Sequence, residues 1–157
     1  MSMTETQINS RRVAPAGEAG SIERAQEALT VLVIDDQLVM RRIIRQLLAT
    51  IHIGQVLEAS DGQQALDLLR DSRSPWIDLI ICDLIMEGMD GLGFCNKLRA
   101  DQALRQRHIP VLILTAERSE LLLDVVRQVG AADIANKPIS ARDLRERIER
   151  LVGIRFN

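Results

Sequence analysis

The chain has 157 residues, with 20 Lys and Arg against 22 Asp and Glu and a net charge of -2. That is enough to bury one ordinary core, with no basic excess to suit nucleic acid. Aromatic residues are 2% of the chain and Tyr is absent, which removes the usual stacking platforms for single-stranded nucleic acid. No run approaches the roughly 18 apolar residues of a membrane span, and the polar start lacks a signal-peptide core. Two cysteines are too few for a disulfide scaffold or a zinc site. A cytoplasmic protein is expected, with no membrane and no direct nucleic-acid partner.

Residues 1–27 read as a tail, either disordered or holding one short helix. Met1 to Gly20 is polar and small, with too little apolar content to offset the entropy of ordering. Ser21 to Leu29 places Ile22, Ala25 and Leu29 on one side of a possible helix. Residues 28–153 form the expected domain, and 154–157 the C-terminal end.

Strands and helices then alternate. Val31 to Ile34 is a continuous apolar strand, and Met40, Ile43, Ile44, Leu47, Leu48 and Ile51 follow at helical spacing. Gly54 punctuates before a strand over 55–59, and Asp61 caps a helix carrying Ala65, Leu66 and Leu69. Pro75 breaks the chain before a third strand, Ile77 to Cys82. Gly88 to Gly91 is a loop, and Leu92, Cys95 and Leu98 mark the third helix. Pro110 opens a fourth strand, Val111 to Leu114. Leu121 to Val129 is a helix ended by Gly130, and Ala131 to Ala135 is a weaker fifth strand. Ser140 caps a last helix with Leu144, Ile148, Leu151 and Val152 inward. Five strands alternating with five helices predict an α/β domain whose parallel sheet is covered on both faces. Cys82 in a strand and Cys95 in a helix read as small buried hydrophobes.

Chemistry gathers after the strands. Asp35 and Asp36 follow the first, Asp83 the third, Thr115 the fourth, and Lys137-Pro138 the fifth. In an open parallel sheet, ligands bind beyond the carboxyl ends of the strands. Single acids there are common as solvated loop residues or helix caps; two acids and a third together are not. If the first and third strands are neighbours, their ends lie about 4.8 Å apart. Carboxylates at that distance repel unless a cation sits between them, and three with water completing an octahedron suit Mg²⁺. Thr115 alone could equally cap the following helix. Lys137, two strands from Asp83, must span about 9–10 Å between backbones, within reach of its stem plus a partner's side chain. The bond to Pro138 is a candidate for cis.

Four motifs carry a resemblance: Val31-Leu-Val-Ile-Asp-Asp36, Asp83-Leu-Ile-Met-Glu-Gly-Met-Asp-Gly91, Leu114-Thr-Ala116 and Lys137-Pro138. In that order and spacing the chain resembles a response-regulator receiver domain of two-component signalling, from about Ala28 to Gly153. It is similar to short chemotaxis and phosphorelay members without an output domain. The resemblance implies a flavodoxin-like, doubly wound (βα)5 sandwich with strand order 2-1-3-4-5. Asp83 would be the phosphoacceptor. Asp35, Asp36, Asp83 and the backbone carbonyl of Ile85 would hold Mg²⁺ or Mn²⁺. Thr115 would bond the phosphoryl oxygens, and Lys137 would pair with the acceptor and then with the phosphate. The donor would be a sensor histidine kinase or a histidine phosphotransfer protein. The protein would be a signalling phosphoacceptor rather than an enzyme acting on other molecules, a monomer or a phosphorylation-dependent dimer.

The sequence departs from the family at two places. Glu87 stands where Pro is common, four residues past the acceptor, and Ile134 stands where Tyr or Phe usually reports phosphorylation. Ile85 and Glu117 occupy positions that tune phosphoryl lifetime. His52 and His108 have no motif and read as loop residues. With no effector domain expected beyond Asn157, the signal is expected to leave by protein contact or by passing the phosphoryl group on. Three consecutive leucines, Leu121 to Leu123, cannot all face the sheet on a helix. An exposed one would point to an output surface of the fourth helix, fifth strand and fifth helix. Three rivals are weaker. A phosphorylation-independent pseudo-receiver usually loses an acid or the Lys. An aspartyl-phosphate hydrolase wants a second acid where Ile85 stands. A flavin carrier wants a hydroxyl-rich phosphate loop where Asp35, Asp36 and Gln37 stand.

Overall fold

The computed structural model describes residues 26–156, so the expected tail lies outside it except for Gln26 and Glu27. The chain order is β1 (Thr30–Ile34), α1 (Leu38–Thr50), β2 (Gln55–Ala59), α2 (Gly62–Arg70), β3 (Leu79–Cys82), α3 (Gly91–Ala100), β4 (Val111–Thr115), α4 (Glu120–Gln128), β5 (Asp133–Asn136) and α5 (Ala141–Val152). All five strands are parallel, in the order β2-β1-β3-β4-β5. This is the flavodoxin-like architecture expected.

Every residue of β1, β3 and β4 is buried, because central strands of a doubly covered sheet have no wet face. Alternation sorts their side chains between two layers. Leu32, Ile34, Ile80, Cys82, Val111 and Ile113 pack with Leu66 of α2, Phe94 of α3 and Val126 of α4. Val31, Val33, Leu79, Ile81, Leu112 and Leu114 pack on the other face with Ile44 and Leu48 of α1 and Leu144 and Ile148 of α5. Burying each such Leu or Ile stabilises the fold by about 1.5–3 kcal/mol relative to leaving it wet.

The expected caps are present. Asp61 Oδ1 accepts from Gln64 N at 2.8 Å, and Ser140 Oγ from Asp143 N at 3.0 Å. The third strand is shorter than expected. It begins at Leu79, since the Gln106 side chain takes both backbone groups of Ile77, accepting from its N at 3.2 Å and donating to its O at 2.7 Å. The fifth strand starts two residues late. Gly130, at φ +110°, turns the chain out of α4, and Ala131 N still donates to Val126 O at 3.3 Å.

The packed body reaches past the expected ends of the domain. Ile154 and Phe156 are buried in the layer formed by α1 and α5, and Gln26 is buried with its Nε2 donating to Ile51 O at 3.1 Å. Gly54 lies directly under this entering segment. A Cβ there would stand 1.5 Å from the Glu27 carbonyl oxygen, so only glycine fits. Cys82 and Cys95 are both free and buried, as expected of small core residues.

Candidate functional site

Register brings the acids together. Ile34 pairs with Cys82 across β1 and β3, so Asp35 and Asp83 leave adjacent strands at the same level. Asp83 N donates to Ile34 O at 2.9 Å, which continues the ladder one residue beyond the strand. Carboxylate oxygens of Asp35, Asp36 and Asp83 all lie within 4.8 Å of one another.

The three carboxylates sit at different depths. Asp35 is buried and both its oxygens are occupied: Oδ1 accepts from Gln37 N at 2.9 Å and Oδ2 from Lys137 Nζ at 2.9 Å. Arg41 Nη1 donates to the Asp35 carbonyl at 2.7 Å. Asp36 is exposed, and its Oδ2 accepts from Glu87 N at 3.2 Å, tying the β3–α3 loop to the acid pair. Asp83 is half-buried, with Oδ2 3.4 Å from Lys137 Nζ. Burial pushes the Asp83 carboxyl above its ordinary range; Lys137 opposes that rise and Asp35 adds to it.

Two glycine and proline features hold the backbone here. A Cβ on Gly91 would stand 2.5 Å from the Asp83 carbonyl oxygen, so α3 can start this close to the acid only with glycine. The Lys137-Pro138 bond is cis, and Lys137 N donates to Thr115 O at 2.9 Å. Thr115 is 1% exposed, with Oγ1 accepting from Glu117 N at 3.1 Å.

An open cleft lies over these groups. Asp83 and Lys137 line it together with Gln37 and Met40 from the start of α1, and Thr115, Glu117 and Arg118 from the end of β4 onward. Sequence reading had named Asp83, Thr115, Lys137, Ile85 and Glu117, and all five line the cleft. It missed Gln37, Met40 and Arg118, whose only signal was nearness to strand ends. Ile85 is 57% exposed on this rim. Glu87 is exposed, and its backbone N–H rather than its carboxylate takes part. Glu117 Oε1 turns back on its own loop, accepting from Arg118 N at 3.0 Å and Ser119 N at 2.9 Å. Ile134 is half-buried and packs on the core rather than lining the cleft. His52 and His108 sit exposed in turns.

The donor set fits a hard divalent cation. Three carboxylates converge against one ammonium, so negative charge is in excess. The exposed position of Asp36 leaves room for the waters that Mg²⁺ retains. Among the described residues, no helix is long and apolar enough to cross a membrane.

Comparison with known proteins agrees with this geometry. The sequence profile of the response regulator receiver domain matches residues 31–149. The chemotaxis protein CheY of Pseudomonas aeruginosa is 35% identical over 123 residues, 78% of this chain and 95% of that protein. Chemotaxis protein CheY-3 of Vibrio cholerae is 32% identical over 78% of this chain and 91% of its own length. Among solved structures, the receiver domain of the Pseudomonas aeruginosa sensor histidine kinase PA1611 superposes with a TM-score of 0.68 at 25% identity. That match covers 80% of this chain and 98% of the other, whose crystal structure has a magnesium ion coordinated in the active-site cleft. This chain belongs to the response regulator receiver domain family of two-component systems.

Proposed function

We propose that Asp83 is the residue that accepts a phosphoryl group in this receiver domain. One contrast carries the assignment. Asp35 is buried with both oxygens occupied and Asp36 holds the Glu87 amide, whereas Asp83 lines the open cleft beside Lys137. A carboxylate in that position can act as a nucleophile.

In the transfer, an Asp83 oxygen attacks the phosphorus of a phosphohistidine. The new O–P bond forms as the P–N bond breaks, and the electron pair returns to the imidazole nitrogen. Lys137 sits where it can follow the charge from carboxylate to phosphoryl oxygens. The Thr115 hydroxyl accepts from Glu117 N, so its own proton is free to point at a phosphoryl oxygen. Asp35, Asp36, Asp83 and the Ile85 carbonyl would hold Mg²⁺, with Mn²⁺ as a substitute. The bound ion would neutralise phosphoryl charge during transfer. The magnesium in the related receiver structure supports this reading.

The phosphoryl source in this reading is a sensor histidine kinase or a phosphotransfer protein in the cytoplasm. The protein acts on its own phosphoryl group and on no other substrate. Its output leaves through α4, β5 and α5, by contact with a partner protein or a second copy, or the phosphoryl group passes onward. The test is chemical. With Mg²⁺ and acetyl phosphate, Asp83 takes a label that both acid and base remove, as an acyl phosphate requires. Asp83→Asn and chelation each abolish it. Label surviving on Asp83→Asn places the acceptor elsewhere.

A further inference from the structure

A phosphoryl donor approaching Asp83 is itself anionic and meets a site where Asp35, Asp36 and Asp83 already converge. Lys137 and a bound divalent cation would together no more than balance these three acids, so nothing at the acceptor itself draws an anion in before chemistry begins. Among the described residues lining the cleft, two are cations, Lys137 and Arg118. Lys137 is already committed, 2.9 Å from Asp35 and 3.4 Å from Asp83. Arg118 is not. Its exposed guanidinium makes no hydrogen bond or ion pair among the described residues.

The neighbouring acid leaves it that way. Glu117 is adjacent to Arg118 in sequence, and its Oε1 is held by two backbone amides, Arg118 N at 3.0 Å and Ser119 N at 2.9 Å. The same two bonds pin the backbone from which Arg118 projects. Thr115 Oγ1 adds a third, accepting from Glu117 N at 3.1 Å. A pinned loop thus presents a guanidinium unpaired among the described residues at the lining of the cleft. Guanidinium offers a planar fork of donors that matches two phosphoryl oxygens at once.

We infer that Arg118 is a phosphoryl-capturing residue: it contacts the outward oxygens of the incoming phosphodonor and supplies the attraction that the charge-balanced acceptor lacks. It breaks and forms no bond in the transfer; it raises the population of donor positioned over Asp83. This inference rests on Asp83 being the acceptor.

The experiment measures the second-order rate constant for phosphorylation of the full chain by acetyl phosphate with Mg²⁺, across a range of salt. Arg118→Ala lowers that constant about fivefold at low salt, the upper end expected of an exposed charge pair. Raising the salt shrinks the gap between variant and wild type, because screening already weakens the wild-type attraction. Arg118→Lys recovers part of the rate and Arg118→Glu falls below Arg118→Ala. Melting temperatures of all three match the wild type, since the side chain is exposed. Equal rate constants for wild type and Arg118→Ala, with Asp83 labelled in both, overturn the capture role and leave the acceptor assignment standing. A wild type that takes no label overturns both.

Discussion

Lys137, which follows β5, reaches past β4 and β3 to place its Nζ 2.9 Å from Oδ2 of Asp35, which follows β1. Asp83, which follows β3, is the more distant partner at 3.4 Å. The family resemblance implies Lys137 on the acceptor, and that pair is present, but the shorter bond is to the buried acid. Lys137 is therefore a structural counter-ion as well as a group in the cleft.

The first prediction follows from that bond. The Asp35 side chain is 1% exposed and that of Lys137 16%, so removing the lysine strands a buried charge. Lys137→Met should destabilise the metal-free protein by about 3 kcal/mol, the lower end for breaking a buried pair. Asp35→Asn added to that variant should recover most of the loss. A urea melt of Lys137→Met that overlays the wild type would show the pair contributes nothing.

Asp83 contributes one part of the pH dependence of the metal-free protein. Burial raises its folded pKa, with Lys137 acting against the rise, above an unfolded value of about 3.9. Between those two values the native state binds more protons than the unfolded state. Stability therefore falls as pH rises through that window and stays lower above it. Asp83→Asn should raise the melting temperature at neutral pH, and its advantage should vanish below pH 3.9 or so. An advantage that grows on acidification would reverse the sign.

Added divalent cation should stabilise the wild type by mass action. At a hundred times its dissociation constant the gain is about 2.7 kcal/mol. Asp36→Ala should cut this response, since it removes one of the three converging acids. Differential scanning with Mg²⁺ and then with chelator reads it directly. A transition indifferent to Mg²⁺ in the wild type would remove the metal from the site.

The leucine triplet of α4 splits as helical geometry requires. Leu121 is 78% exposed and Leu123 only 6%. Leu121→Ser should change stability by less than about 0.5 kcal/mol yet weaken the phosphorylation-dependent contact in a pull-down or sizing experiment. Leu123→Ala should cost about 2–5 kcal/mol. If Leu121→Ser leaves partner binding intact, the output surface lies elsewhere.

Both thiols should be chemically silent in the native state. Burial pushes Cys95 up to about 11 and Cys82 well above the usual thiol range, and the thiolate is the reactive form. Alkylation by iodoacetamide at pH 8 should proceed at the rate of unfolding. Rapid labelling of folded protein would show the core is open there.

Local physics was enough for much of this molecule. Apolar runs at Val31 to Ile34 and Val111 to Leu114, helical spacing from Met40 to Ile51, and the caps Asp61 and Ser140 depend on neighbours within a turn or two. They are read from sequence and present in the structure. The acids, Thr115 and Lys137 were identifiable because each immediately follows such a run, and strand ends on one edge of a parallel sheet share a crevice.

Only the tertiary structure decided the rest, since those features depend on partners distant in the chain. Ile77 left its strand for a side chain 29 residues away, at Gln106. Phe156 is buried because α1 and α5 offer it a surface, and no periodicity near the terminus signals that. Lys137 reaches Asp35 as well as Asp83, the former across 102 residues of sequence. Gln37, Met40 and Arg118 joined the cleft for the same reason. Which side chains rim a site depends on how the segments after four strands settle beside one another, and each segment's own sequence is silent about its neighbours.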